Sequence, residues 1–162
     1  MKILVLSDSH SSFSFMRRCI ECTVPDAIIH LGDHYSDGQT MAEEFPQIPV
    51  YQVPGNCDLH RGYIPDPEIQ LMELGGVRLY MTHGHRHGVK LSLHRLIADA
   101  RAANVQAVLF GHTHSALCQQ EDGMWILNPG ACSWGGSAAI ITTRLGKIEQ
   151  CYLLRSEDLK DL

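Results

Sequence analysis

Lys2-Ile3-Leu4-Val5-Leu6-Ser7-Asp8-Ser9-His10 is the stretch whose reading decides the fold. An aliphatic run with no polar alternation reads as a strand buried on both faces, and the Ser-Asp-Ser-His after it reads as a loop at its carboxyl end. The pattern recurs twice: Asp26–Leu31 ends in Gly32-Asp33, and Pro49–Val53 ends in Pro54-Gly55-Asn56. Between these runs, Ser14–Cys22 predicts a helix stopped by Pro25, and Thr40–Phe45 a short helix stopped by Pro46. The resulting β-α-β-α-β order is that of parallel strands joined by crossover helices.

The second half reads differently. Ile69–Leu74 and Val77–Thr82 flank Gly75-Gly76, a hairpin signal, and His83–Gly88 reads as a loop. Leu91 to Ala103 has helical periodicity, with Leu93, Leu96, Ile97 and Ala100 on one face. Val105–Phe110 is a further buried strand, and it runs into Gly111-His112-Thr113-His114. Ala116–Glu121, Met124–Leu127, Ala138–Thr143 and Ile148–Leu154 follow as strands, with Asp122-Gly123 turning between the first two. The expectation is an α/β chain with its parallel strands in the first half and hairpins in the second.

Composition narrows the class. The 162 residues are expected to form a single domain spanning 1–162. At 44% hydrophobic and 19% charged, the chain has the make-up of a packed core rather than a disordered segment. Its net charge of −5 argues against a surface that neutralises the phosphates of a nucleic-acid duplex. The first apolar run is shorter than the roughly 7–15 residues of a signal sequence or the roughly 20 of a membrane span, so no membrane association and a cytoplasmic location are expected. Six cysteines at irregular spacing fit buried thiols in a reducing compartment, and Cys19-x-x-Cys22, inside a helix, reads as packing. Ten histidines are the compositional oddity.

Seven potential metal ligands stand just after strand-like runs: Asp8, His10, Asp33, Asn56, His83, His112 and His114. Taken singly, Gly32-Asp33 and Gly55-Asn56 are ordinary turn dipeptides, and His83-Gly84-His85-Arg86-His87 could be a solvated loop. Taken together they have one explanation, because the carboxyl ends of strands in an open α/β sheet form a common rim where ligands collect. Two carboxylates, one amide oxygen and four imidazoles make a nitrogen and oxygen set without thiolate, which suits Mn, Fe, Ni, Co or Zn. Seven ligands exceed the needs of one tetrahedral ion and suggest two ions sharing a bridging carboxylate. His30, in a buried run, reads as a satisfied core histidine. His94 reads as a solvated helix residue, and His34 as a surface residue or a substrate contact.

Asp8-x-His10, Gly32-Asp33, Gly55-Asn56-Cys57-Asp58, Thr82-His83-Gly84-His85 and Gly111-His112-Thr113-His114 together resemble the motifs of the calcineurin-like metallophosphoesterase family, in particular its small YfcE-type phosphodiesterase branch. The resemblance runs from residue 2 to about 154. It implies a four-layer α/β/β/α sandwich with two mixed β-sheets packed face to face. It also implies one divalent ion on Asp8, His10 and His114, a second on Asn56, His83 and His112, and Asp33 bridging them, with manganese favoured. The implied reaction is phosphodiester hydrolysis by in-line attack of a metal-bridging hydroxide on a small diester. Asn56, Cys57, Asp58 and His83 are the expected catalytic residues, with His85 and His60 as substrate contacts. Many relatives carry a histidine where Cys57 stands. Relatives also form homodimers or homotetramers, and the retromer subunit Vps29 resembles the family while serving mainly as a docking platform. That gives a second expectation, a scaffold on the same fold, from which the complete set of seven ligating residue types argues away.

Overall fold

Burial explains the missing polar alternation of the first strand: Ile3, Leu4, Val5 and Leu6 are all fully buried. Strand β1 (Lys2–Leu6) has one face against a second sheet and the other against helices, so every side chain after Lys2 meets apolar neighbours. The structure is a computed structural model and describes residues 1–58, 67–133 and 135–160. Along the chain follow α1 (Phe13–Thr23), β2 (Ala27–His30), α2 (Tyr35–Glu44), β3 (Val50–Gln52), β4 (Ile69–Leu74), β5 (Val77–Thr82), α3 (His94–Ala102), β6 (Ala107–Leu109), β7 (Leu117–Glu121), β8 (Met124–Asn128), β9 (Ser137–Arg144) and β10 (Lys147–Arg155). Single 3₁₀ turns lie at His85–His87 and Asp158–Lys160.

The strands form two five-stranded mixed sheets, ordered β10-β9-β1-β2-β3 and β4-β5-β6-β8-β7. In the first, β1, β2 and β3 run parallel, with Leu6 opposite His30 and His30 opposite Gln52. In the second, β5, β6 and β8 run parallel. The second half therefore departs from the hairpin expectation: its parallel strands pair through residues distant in sequence, which local pattern does not reveal. The Gly75-Gly76 and Asp122-Gly123 turns join β4 to β5 and β7 to β8 as expected.

Three apolar layers hold the stack. Ile3, Val5, Ile29, Leu31, Leu79, Met81, Leu109 and Ile141 fill the space between the sheets. Leu4, Leu6, Ile28 and Ile140 pack outward against Met16, Cys19 and Ile20 of α1 and Met41 of α2. Val108, Phe110 and Ile126 pack on the opposite side against Leu96 and Ala100 of α3. The order is helices, sheet, sheet, helix: the four-layer α/β/β/α sandwich. Cys19 and Cys22 pack in the α1 layer, as their spacing inside a helix suggests, and all six cysteines are free thiols.

Truncating the inter-sheet layer tests this arrangement. Leu79→Ala, at a fully buried position, should lower the unfolding free energy by about 2–5 kcal/mol. Leu145→Ala, at a 92% exposed turn, should change it by less than about 0.5 kcal/mol. Urea unfolding followed by circular dichroism measures both.

Candidate metal centre

Each of the parallel strands ends at one rim, and the loops there carry the seven residues singled out above. Asp8 and His10 follow β1, Asp33 follows β2, Asn56 follows β3, His83 follows β5, and His112 and His114 follow β6. The two sheets contribute together. The His83 ring donates from Nδ1 to the Leu31 carbonyl across the sheet boundary at 2.7 Å. That bond leaves Nε2 facing the acidic residues, 3.5 Å from Asp33 Oδ1 and 4.0 Å from Asp8 Oδ1. His114 Nε2 stands 3.0 Å from the same Asp8 oxygen.

Among the described residues, two groups of side chains have ligand atoms within 4.8 Å of one another: Asp8, His10 and His114, and Asp8, Asp33 and His83. The first is the trio expected around one ion. In the second, Asp8 stands beside Asp33 and His83. His112 joins it edge-on, its ring centroid 5.0 Å from that of His83, and the His10 and His114 rings are 5.8 Å apart. The cluster is buried on its deep side, at Asp8, Asp33 and His83, and open at His10, His112 and His114.

The surrounding groups leave selected atoms free for a cation. Ser7 Oγ and the His112 N–H donate to Asp8 Oδ2 at 2.6 and 3.1 Å, while Asp8 Oδ1 has no hydrogen bond. Asn56 Oδ1 and His83 Nε2 are likewise buried without a hydrogen-bond partner. Atoms left without a hydrogen bond are costly in a native interior unless a charge meets them. Here Asp8 Oδ1 and His83 Nε2 face only ionisable neighbours, His114 and Asp33, while Asn56 Oδ1 has no such contact among the described residues. Ionisable oxygen and imidazole donors without thiolate are the donor set of a borderline divalent cation, so the residues fit the metals that the sequence pattern implies.

Backbone geometry carries part of the cost. Asp8, His10, Asp33, His112 and His114 all have φ between +41° and +66°, in the left-handed region that non-glycine residues avoid. Such conformations cost on the order of 1–3 kcal/mol each and persist only where surrounding contacts enforce them. Here the enforcement is specific. Asp58 accepts the Tyr35 and Gly55 N–H groups at 2.8 Å each, clamping the Asp33 loop to the Asn56 loop. Asn128 Nδ2 donates to the Gly111 carbonyl and to Thr113 Oγ1, and Ser133 Oγ donates to the Asp8 carbonyl. At Gly55 a Cβ would overlap the Asp33 backbone nitrogen and carboxylate, so only glycine lets these loops meet.

Charge distribution follows from the packing. Burial alone would lift the Asp33 carboxyl, but the His83 imidazole and the Cys57 N–H outweigh it and hold the group well below the usual carboxylate range. Burial alone would make His83 less basic, yet the Asp33 and Asp8 carboxylates raise it: the deep end of the cluster favours positive charge. Desolvation, then the charge of His83 and of Lys90, pushes His112 down to about 4, so its ring is neutral and its lone pair free at pH 7.

The remaining sequence candidates fall into distinct positions. Cys57 donates from its backbone N to Asp33 Oδ1 at 3.0 Å, and its thiol lies 3.4 Å from Asp33 Oδ2. Asp58 is buried with both oxygens taken by backbone N–H groups, so it positions the loops. The His85 ring lies 5.6 Å from that of His83 and 6.1 Å from that of His112, with Nε2 3.1 Å from Glu68. His60 lies outside the described residues. His34 is half-buried, its ring 4.7 Å from His10, and His94 is an exposed residue at the start of α3.

The profile of the calcineurin-like phosphoesterase superfamily domain matches residues 1–150. The chain belongs to this superfamily. It is 32% identical over 133 residues to a probable metallophosphoesterase of Mycoplasma pneumoniae, covering 80% of this chain and 78% of that protein. It is 29% identical over 156 residues to the Escherichia coli phosphodiesterase YfcE, covering 82% and 80%. A crystal structure of a predicted phosphoesterase from Streptococcus pneumoniae superimposes with a TM-score of 0.77 at 25% identity, covering 96% of this chain and 90% of that one. Vps29 of Entamoeba histolytica shares the fold at a TM-score of 0.72 and 18% identity, covering 96% and 99%. No helix among the described residues is long and apolar enough to cross a membrane.

Behind the phosphoesterase rim lies a polar chain that the sequence pattern did not expose. The Gly32 N–H donates to His30 Nδ1, His30 Nε2 meets Ser9 Oγ at 2.9 Å, and Ser9 Oγ donates to Asp37 Oδ2 at 2.8 Å. His30 is the satisfied core histidine that its buried strand suggests. Burial drives it down to about 4; the Asp37, Asp58 and Asp8 carboxylates pull the other way without prevailing, and His83 adds to the depression. With an unfolded value of 6.5, the folded state resists the proton. Stability from this group is therefore full above pH 6.5 and is lost as pH falls towards 4, by about 3 kcal/mol in total. Urea midpoints at pH 7.5 and 5 should diverge in the parent chain, and less in His30→Asn.

Proposed function

We propose that the chain is a phosphodiesterase that works with two divalent cations, manganese being the favoured metal and Ni, Fe, Co or Zn the alternatives. One observation carries the reading: Asp8 Oδ1, Asn56 Oδ1 and His83 Nε2 are buried without a hydrogen bond at one rim, where the ligand atoms of Asp8, Asp33 and His83 gather within 4.8 Å of one another and the His10, His112 and His114 imidazoles stand on the less buried side. Bound there, a pair of such ions would lower the pKa of a water and offset the charge of phosphoryl oxygens. The protein's own part is to hold that arrangement still. His83 presents Nε2 because Nδ1 is committed to Leu31, and Asp8 presents Oδ1 because Ser7 and the His112 N–H engage Oδ2. Asp33, as the bridging carboxylate, is kept ionised by its neighbours. His10, His112 and His114 border the open side from which a small diester would approach.

Cys57 shapes the preference for diesters. It stands beside Asp33, and a thiol donates protons to a leaving group less readily than an imidazolium does. Diesters with good leaving groups are therefore the favoured substrates, and alkyl monoesters poor ones. The alternative, a docking platform like Vps29, has the shared fold in its favour, but a platform has no need for seven converging ligand side chains.

Hydrolysis of bis-p-nitrophenyl phosphate and p-nitrophenyl phosphate by chelator-treated protein, before and after adding Mn²⁺, Ni²⁺ or Zn²⁺, tests the reading. Metal-restored diester cleavage that Asp33→Ala lowers by more than about 100-fold is the expected result. A folded protein without turnover under any metal would favour the platform. Cys57→His should raise the rate on poor leaving groups by about 10-fold or more, and an unchanged ratio of diester to monoester activity would contradict the role given to Cys57.

A further inference from the structure

The cleft next to the His112–His114 loop has no part in holding metal, yet it is built for a ligand. We propose that it is a substrate subsite for a flat aromatic group on a phosphodiester, with the Lys90 ammonium placed for an anionic oxygen of the same molecule. The proposal rests on the phosphodiesterase reading and names the class of diester.

The cleft has a volume of about 460 Å³. Val89 and Phe110, 5% and 2% exposed, form its buried floor, and the half-buried Leu93 and Leu117 are apolar walls. Thr113 lines it as well, and Thr113 stands between two candidate ligands, so the cleft begins one residue from the metal centre. The shared loop is braced: Thr113 Oγ1 accepts from Asn128 Nδ2 at 3.0 Å and from the Ser115 N–H at 3.2 Å. A group seated in the cleft would therefore lie at a fixed offset from a phosphorus atom at the centre.

Charge points the same way. Among the described residues Lys90 has no ion pair and no hydrogen bond from its ammonium, whereas Arg17, Arg86 and Arg101 are each tied to carboxylates. No carboxylate lines this cleft. The neighbouring hollow beside Glu68, Arg86, Arg95 and Asp99 carries both signs of charge and attracts neither strongly. In a chain of net charge −5, an unpaired cation over an apolar floor suits an anion with an apolar substituent. An aromatic ring fits better than an alkyl chain of similar area, because a rigid group loses no internal rotor entropy on burial.

Calorimetric titration of diphenyl, dibutyl and dimethyl phosphate into chelator-treated and Mn²⁺-supplemented protein tests the subsite without relying on turnover. Diphenyl phosphate should bind with a Kd about 10-fold or more below that of dimethyl phosphate in both states, with dibutyl phosphate between them. Ala116→Trp, an exposed lining position, should cut that advantage to less than about 2-fold by filling the cleft. Ser115→Trp, also exposed, is a second filling variant should the first not fold. Lys90→Ala should weaken diphenyl and dimethyl phosphate alike by about 3–10-fold, with Lys90→Arg restoring them. Equal affinity for all three esters, dibutyl phosphate binding as tightly as diphenyl, an advantage that survives filling, or indifference to Lys90→Ala would each overturn the proposal. Absence of bis-p-nitrophenyl phosphate turnover alongside an intact aromatic preference would instead overturn the phosphodiesterase reading, so the two failures are distinct.

Discussion

The hydrogen bond from His83 Nδ1 to the Leu31 carbonyl is the constraint on which the rim depends. Its two ends belong to different sheets, since His83 follows β5 and Leu31 follows β2. A ring that donates from Nδ1 must present Nε2 on its other side, and here that side faces Asp8 and Asp33. In metal sites the partner of the far ring nitrogen sets tautomer and orientation in the same way. The bond survives only while the sheets keep their spacing, and that spacing is set by Ile3, Val5, Leu79, Met81 and Leu109 in the layer between them. Core packing and ligand geometry are thus a single condition met twice.

The cost of the rim is concentrated and local. The Asp8 and Asp33 carboxylates stand close together, several candidate ligands adopt left-handed backbone, and Asp8 Oδ1, Asn56 Oδ1 and His83 Nε2 are buried without a hydrogen bond. Strain and desolvation of this kind persist where a rigid frame over-determines them, and they collect at functional sites. The frame is visible in the fully buried β1 side chains and in the braces from Asp58, Asn128 and Ser133. A cation held there would offset the repulsion between Asp8 and Asp33, so the strained loops and the candidate metal site have the same origin.

The rim divides into a deep side and an open side. Asp8, Asp33 and His83 are shielded from water, which strengthens their interactions with any charge placed among them. His10, His112 and His114 border solvent, and beside them lies the apolar cleft with Lys90. Cys57 sits between the two sides, its backbone N–H and its thiol both on the Asp33 carboxylate.

The strand-loop pattern of the sequence determined the β-α-β-α-β first half, the Gly75-Gly76 and Asp122-Gly123 hairpin turns and the placing of seven candidate ligand residues at strand ends. Buried strands lack polar alternation, and their carboxyl-terminal loops carry polar chemistry whatever the tertiary context. Other features were settled only in three dimensions. Helix α2 begins at Tyr35, not near Thr40, because the N–H of Tyr35 is capped by Asp58, 23 residues away, while His34 at its start offers no side-chain cap. Parallel pairing of β5, β6 and β8 brings together strands that no local signal links. The roles of Ser7, of the His30-Ser9-Asp37 chain and of Asp58 were equally hidden, because a hydroxyl or carboxylate declares its partner only when the backbone has placed one within hydrogen-bond reach. Local pattern specifies which groups stand at a strand end; which of them meet depends on the register and spacing of two packed sheets.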